Sequence, residues 1–208
     1  MKYRKRAEYA DGRESSISGM EADDEYAPHE HLRKVGSRIV MMAPVVHQLV
    51  GDEHVWDRIA IAQYRDRMAI IEMSSNADFQ KDEDHKEAGM DFTIVMATFP
   101  VEGDPVPPQE SGAGDDRLML LQVVGDADAP DIAAEIDSVR IGRFMIEDRF
   151  LGDDRTFAEA RYDLVSRDAA DELIASGSTH SDTDYVVIAD PALDDIARSL
   201  TDPSKVLF

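Results

Sequence analysis

The sequence of 208 residues has no cysteine, one tryptophan and, by count, only six lysines beside sixteen arginines. The missing cysteine excludes disulfides, thiolate-bound zinc and thiol nucleophiles, and fits a reducing compartment. No apolar run approaches the roughly 18 residues that a membrane helix needs. Residues 1–14 carry basic side chains with no apolar stretch behind them, so they do not read as a signal peptide and the cytoplasm is the default expectation.

What is abundant is acid. Forty-four Asp and Glu face 22 Lys and Arg, for a net charge of −22. Such a surface repels phosphate backbones and anionic bilayers, so neither nucleic acid nor a membrane is expected as a partner. With 43% hydrophobic residues the chain still has the material for a core. The Asp-rich, Lys-poor balance reads either as adaptation to high salt or as a solvated surface kept apart by its own charge.

The chain repeats itself. Ser37–Glu53 aligns without gaps on Ser138–Asp154, each stretch running as a β-type segment into an apolar residue followed by Gly-Asp-acid. Gly51 and Gly152 then sit at equivalent hairpin turns. Ala60-x-Ala62-x-Tyr64 matches Ala158-x-Ala160-x-Tyr162, and the period of two puts each trio on one strand face, expected to lie under helices. Ser18 and Glu21 form a capping-box pattern, and Pro28 should kink the helix that follows. Asn76 can cap a helix closed by Gly89, and Ser166 one closed by Gly177. A further helix starts at Pro130. The order β-α-β-β-α-β, written twice, predicts an α+β fold of two tandem ferredoxin-like units with their sheets packed face to face. Residues 1–100 form the first unit, 101–116 a Pro/Gly/acid linker, 117–200 the second unit and 201–208 a tail. The opening strand, Lys2-Tyr3-Arg4, is short, or else the start is clipped.

The first hundred residues resemble an uncharacterised bacterial family of the dimeric α+β-barrel superfamily (domain of unknown function 1330). The resemblance is carried by Lys2-Tyr3-Arg4, Tyr9 to Gly19, Lys34 to Val40, Trp56 to Ala60, Tyr64 to Arg67, Asn76 to Gln80 and His85-Lys86. It implies two ferredoxin-like sheets face to face, from two chains as a homodimer or from tandem copies. It implies no reaction.

Motifs that carry chemistry are few. His29 and His31 are two apart on a predicted helix and cannot chelate together. Asp82 and His85 also suit an amphipathic acidic face, and residues 179–184 lack the glycine and glutamate of a calcium loop. No metal is assigned. Gly112 and Gly114 belong to the linker rather than to a phosphate loop. Haem is open only through His47 or His85, and no cofactor is assigned.

One face of the first hairpin reads Met41, Ala43, Val45, His47 with Ile59, Ile61 and Gln63. It suits a small-ligand pocket, or an interface core with one satisfied histidine. On the pocket reading Tyr3, Met41, Ile61, Gln63, Tyr64 and His85 are the candidate binding residues. His47 would be the general acid or base, and Arg4 would hold a carboxylate or enolate. In the second hairpin Gly142, Phe144, Ile146 and Phe150 group with the alanines and Tyr162, expected under helices. Arg143, Met145, Glu147, Arg149, Glu159, Arg161 and Asp163 then face the other sheet as an ion-pair ladder or a polar cavity. Function reads as binding of a small molecule or a protein partner between the sheets. The alternative is a cofactor-free isomerase or oxygenase working beside His47.

The charge reading has a direct test. Counter-ions screen over about 10 Å at 0.1 M ionic strength, so self-repulsion of a −22 chain is relieved by added salt. The melting midpoint is expected to rise as sodium chloride goes from tens of millimolar to molar. A flat or falling midpoint would leave only the solvated-surface reading.

Overall fold

A computed structural model describes residues 1–26, 28–101, 116–196 and 206–207. Most of the expected linker and of the expected tail lies outside the described residues. In chain order the elements are β1 (Lys2–Tyr3), α1 (Gly19–Tyr26), α2 (His29–Lys34), β2 (Arg38–Gly51), β3 (Arg58–Tyr64), α3 (Arg67–Ser74), α4 (Ala77–Gly89), β4 (Met90–Phe92) and β5 (Val95–Pro100). The second half has β6 (Arg117–Val124), a 3-10 turn (Ile132–Glu135), β7 (Ser138–Leu151), β8 (Glu159–Ser166), α5 (Arg167–Ser176), β9 (Thr179–His180), β10 (Tyr185–Ala189), β11 (Leu193–Asp194) and β12 (Val206–Leu207). No helix among the described residues is long and apolar enough to cross a membrane.

Helices start where the local chemistry supplies a cap. The Ser18 Oγ accepts from the Glu21 N–H at 3.2 Å while the Glu21 carboxylate accepts from the Ser18 N–H at 2.7 Å, a complete capping box. Asp66 accepts from Ala69 N, Asn76 from Asp78 N and Phe79 N, and Ser166 from Ala169 N. Pro28 separates α1 from α2, and Gly177 ends α5 at φ +90°. The N-terminal segment is threaded between α1 and α4. Arg4 N donates to the Gly89 carbonyl and Gly19 N to the Arg4 carbonyl, at 2.9 and 3.0 Å. A Cβ on Gly89 would lie 2.2 Å from the Gly19 carbonyl oxygen, so only glycine permits this crossing.

The strands overturn the expectation of two ferredoxin-like sheets packed face to face. One curled antiparallel sheet, a half-barrel, holds strands of both halves in the order β10-β6-β8-β7-β5-β12-β3-β2, and β10 pairs with β2 as well as with β6. The reason lies in the two 14-residue strands. β2 uses one edge for β3, from Arg38 to Pro44, and β7 uses one edge for β8, from Ser138 to Met145. Each long strand keeps a second edge whose N–H and C=O groups need partners. The last strand of the opposite half supplies them. β10 runs along β2 from Val50 to Val45, and β5 runs along β7 from Leu151 to Phe144. The strands after α4 divide accordingly: β4 pairs with β1 in a separate two-stranded sheet, and β5 joins β7.

The face expected under the helices in the second half is the sheet interior. Phe144, Ala160, Tyr162 and Leu164 pack with Met119, Leu121 and Val187 in the main core, while α5 and the 3-10 turn cover Leu118, Leu120, Val165 and Ile188 on the other face. Across the strands Phe144 meets Ala160 and Tyr162 meets Gly142, so the small residues make room for aromatic neighbours rather than for a helix. The Phe144 and Tyr162 rings meet edge to face at 5.1 Å. The charged ladder lies outside instead. Arg143 donates to Glu159 at 3.0 Å and Arg140 to Asp163 at 2.6 Å, and Arg161 donates to the Ala127, Ala129 and Pro130 carbonyls. In the first half the matching trio behaves differently. Tyr64 and Ala62 pack against Leu32, Met73 and Phe79 of the helices.

Ala160 is fully buried opposite Phe144. Ala160→Leu should therefore overpack the interior and lower stability by about 1–3 kcal/mol, read as a denaturation midpoint. An unchanged midpoint would mean that the interior has slack at this position.

Candidate ligand cavity

Between the curled sheet and the first-half helices lies a cavity of about 720 Å³, within the range of small-molecule sites. Its inner wall includes Ile61 of β3, Leu121 and Val123 of β6, Tyr162 of β8 and Val187 of β10. Its outer wall includes Leu32, Met73 and Phe79 from α2, α3 and α4. Both faces of β3 line it, Ile59 and Ile61 on one side and Ala62 and Tyr64 on the other. The cavity therefore wraps the edge of that strand. That edge meets the Met1 ammonium and carbonyl at Asp57 and Arg58, and β12 at Gln63 and Tyr64. β1 is two residues long, and among the described residues only β12 lies between β3 and β5. Ile71, Phe150 and Leu151 line the cavity and are about half exposed, so they mark its opening to solvent.

Charged side chains enter the lining from one side. Arg58 is held by Asp24 at 2.7 Å and Asp23 at 3.3 Å, and Glu83 and Lys86 come from α4. The lining also presents phenols, from β3, β8 and α1. Burial pushes the Tyr64 hydroxyl up to about 12, and raises Tyr162 and Tyr26 further, so all three stay protonated and neutral over the ordinary pH range.

One end is closed by an aromatic cluster. Trp56 lies 5.3 Å from Tyr185 edge-on and 5.6 Å from Phe92 stacked, and His54 stacks on Phe92 at 4.4 Å. Behind it sits Asp52, with its side chain 7% exposed. It accepts from the Tyr185 hydroxyl at 3.0 Å and the His54 N–H at 2.8 Å, and it pairs with Arg155. Arg155 also pairs with Asp153. Asp52 and Asp153 are equivalent positions of the sequence repeat, so one arginine joins the two Gly-Asp turns.

Of the candidate pocket residues read from the sequence, the cavity brings together Ile59, Ile61 and Tyr64. His47 lies elsewhere. Its Nε2 meets the Ser178 Oγ at 3.0 Å beyond the end of α5. The cause is a β-bulge. Ile188 pairs with His47 and Ala189 with Val45, so Val46 is an extra residue and the alternation turns over there. Arg4 donates to the Glu87 and Ala88 carbonyls at the end of α4. Tyr3 donates to Asp23 at 2.6 Å, and His85 meets the Tyr9 hydroxyl at 2.8 Å. Met41 is buried in the core, and Gln63 is buried within reach of Arg38 at 3.5 Å. Sequence reasoning missed Trp56, Tyr162 and Tyr185 as lining. The signal was present: a strand carrying Glu159, Arg161 and Asp163 on one face has its apolar face toward the interior.

Replacing Asp52 with alanine leaves the Tyr185 hydroxyl without its acceptor and Arg155 with Asp153 alone. Asp52→Ala should cost about 3 kcal/mol in chemical denaturation and alter Trp56 fluorescence. A loss under about 1 kcal/mol would show that Asp153 suffices to hold the turn.

No family model matches the chain, and no curated protein or solved structure does either.

Proposed function

We propose that the protein binds a small, largely apolar molecule in the cavity between the curled sheet and the helices. The cavity itself carries the reading: about 720 Å³ lined mainly by aliphatic and aromatic side chains, with an apolar lip at Ile71, Phe150 and Leu151. Native interiors are packed to crystal density, so a space of this size between aliphatic walls is kept at a cost in lost contacts. Ligand occupancy restores those contacts. The alternative of catalysis beside His47 loses its support, because that imidazole is outside the lining and faces Ser178. The family resemblance of the first hundred residues adds no reaction to this reading.

Trp56, the only tryptophan, lines the cavity and can report occupancy by energy transfer to N-phenyl-1-naphthylamine, a neutral apolar fluorophore. Saturable binding is expected. Val123→Phe, which fills the inner wall, should weaken it at least about tenfold, a loss of roughly 1.4 kcal/mol, with the melting midpoint shifted by only a few degrees. Absence of saturable binding, or equal affinity in the variant, would refute the proposal.

A further inference from the structure

Tyr162 is 7% exposed, lines the cavity and belongs to the sheet interior. Among the described residues nothing hydrogen-bonds its hydroxyl, and burial alone acts on its ionisation. A buried phenol ordinarily finds a partner for its O–H. Here the strand neighbours across it are Gly142 and Leu121, and neither side chain can accept a proton. The adjoining cavity wall, Ile61, Val123 and Val187, is aliphatic. Thr93, also in the lining, buries its hydroxyl without a partner.

Charge narrows the ligand further. The Met1 amino group in the lining donates to the Arg58 carbonyl at 2.9 Å, and burial lowers its pKa to about 5. The Arg and Lys side chains of the lining are Arg58, already held between Asp23 and Asp24, and Lys86, which lies 5.5 Å over the Tyr26 ring. Neither belongs to the sheet interior that holds Tyr162. An anionic head group at this hydroxyl would thus lose its hydration with no cation in return, inside a chain of net charge −22. A neutral acceptor takes the phenol proton without that cost. Resting on the cavity-binding reading, we propose that the ligand is a neutral apolar molecule bearing one carbonyl or hydroxyl oxygen, and that this oxygen accepts a hydrogen bond from Tyr162.

The test is displacement of N-phenyl-1-naphthylamine by three compounds that share a ring system: 2-acetylnaphthalene, 2-ethylnaphthalene and 2-naphthoate. In the wild-type chain the ketone should bind at least about tenfold more tightly than the carboxylate at neutral pH. Tyr162→Phe should weaken the ketone by about five- to tenfold, the scale of one neutral hydrogen bond, and leave the ethyl compound unchanged. The ethyl titration on the variant also shows that the cavity survives the substitution. Equal loss for both neutral compounds, no loss for the ketone, or naphthoate as tight as the ketone each overturns the assignment while the cavity reading stands. Failure of all compounds and of the fluorophore in the wild-type chain overturns both.

Discussion

Two strands of fourteen residues, each with one edge more than its own hairpin can pair, organise this protein. A strand edge left bare exposes a row of donors and acceptors that invites pairing with another chain. The halves satisfy each other instead: β10 lies along β2, and β5 along β7. The exchange turns what would be two sheets into one, and that one sheet has an inside. It also draws the two Gly-Asp turns together, so that Asp52 and Asp153 share Arg155.

The cavity follows from the one place where the exchange is incomplete. β1 is too short to lie between β3 and β5, and pairs with β4 alone. β12 enters that space for two residues. The interior is therefore continuous, around the edge of β3, with the space beneath α2, α3 and α4, and a ligand can touch the inner sheet wall and the helices at once. On the helix side the crossing of Gly19 and Gly89 leaves little freedom, because any side chain there would meet backbone. The placing of α4 against α1 is thus fixed by backbone contact rather than by adaptable side chains.

Local chemistry was legible in the sequence, and partner choice was not. Caps at Ser18, Asn76 and Ser166 and the turn glycines are read correctly because each depends on a few adjacent residues. The repeat predicts two matching long strands, and both are present. It cannot say which strand covers each outer edge, since a terminal strand is equally apolar wherever it pairs. Ala-x-Ala-x-Tyr predicts a helix-packing surface in both halves, and the second half departs from it. The same pattern serves two purposes here: Tyr64 meets helices, and Tyr162 points into the sheet interior. His47 was misplaced by one residue, Val46, whose bulge reverses the alternation. Nothing in the Val45-Val46-His47 triplet announces that.

The separation of charge from the interior has the same origin as the fold. On β8 one face must be dry, because it packs in the interior beside its strand neighbours Leu121 and Phe144. The other can hold Glu159, Arg161 and Asp163 because Arg143 and Arg140 of β7 pair with the two carboxylates and the segment before the 3-10 turn offers carbonyls to Arg161. Period-two alternation then forces the phenol of Tyr162 inward between Arg161 and Asp163. Leucine or phenylalanine would fill that position without leaving an unsatisfied O–H. A hydroxyl buried without a partner costs about 1–3 kcal/mol, and water inside an aliphatic cavity offers poor compensation. That cost is removed when an acceptor occupies the cavity. Among the described residues of β8 that pack in the interior, Ala160, Tyr162 and Leu164, the phenol of Tyr162 is thus the one polar side chain, set there by the same alternation that places the ion-pair ladder on the other face.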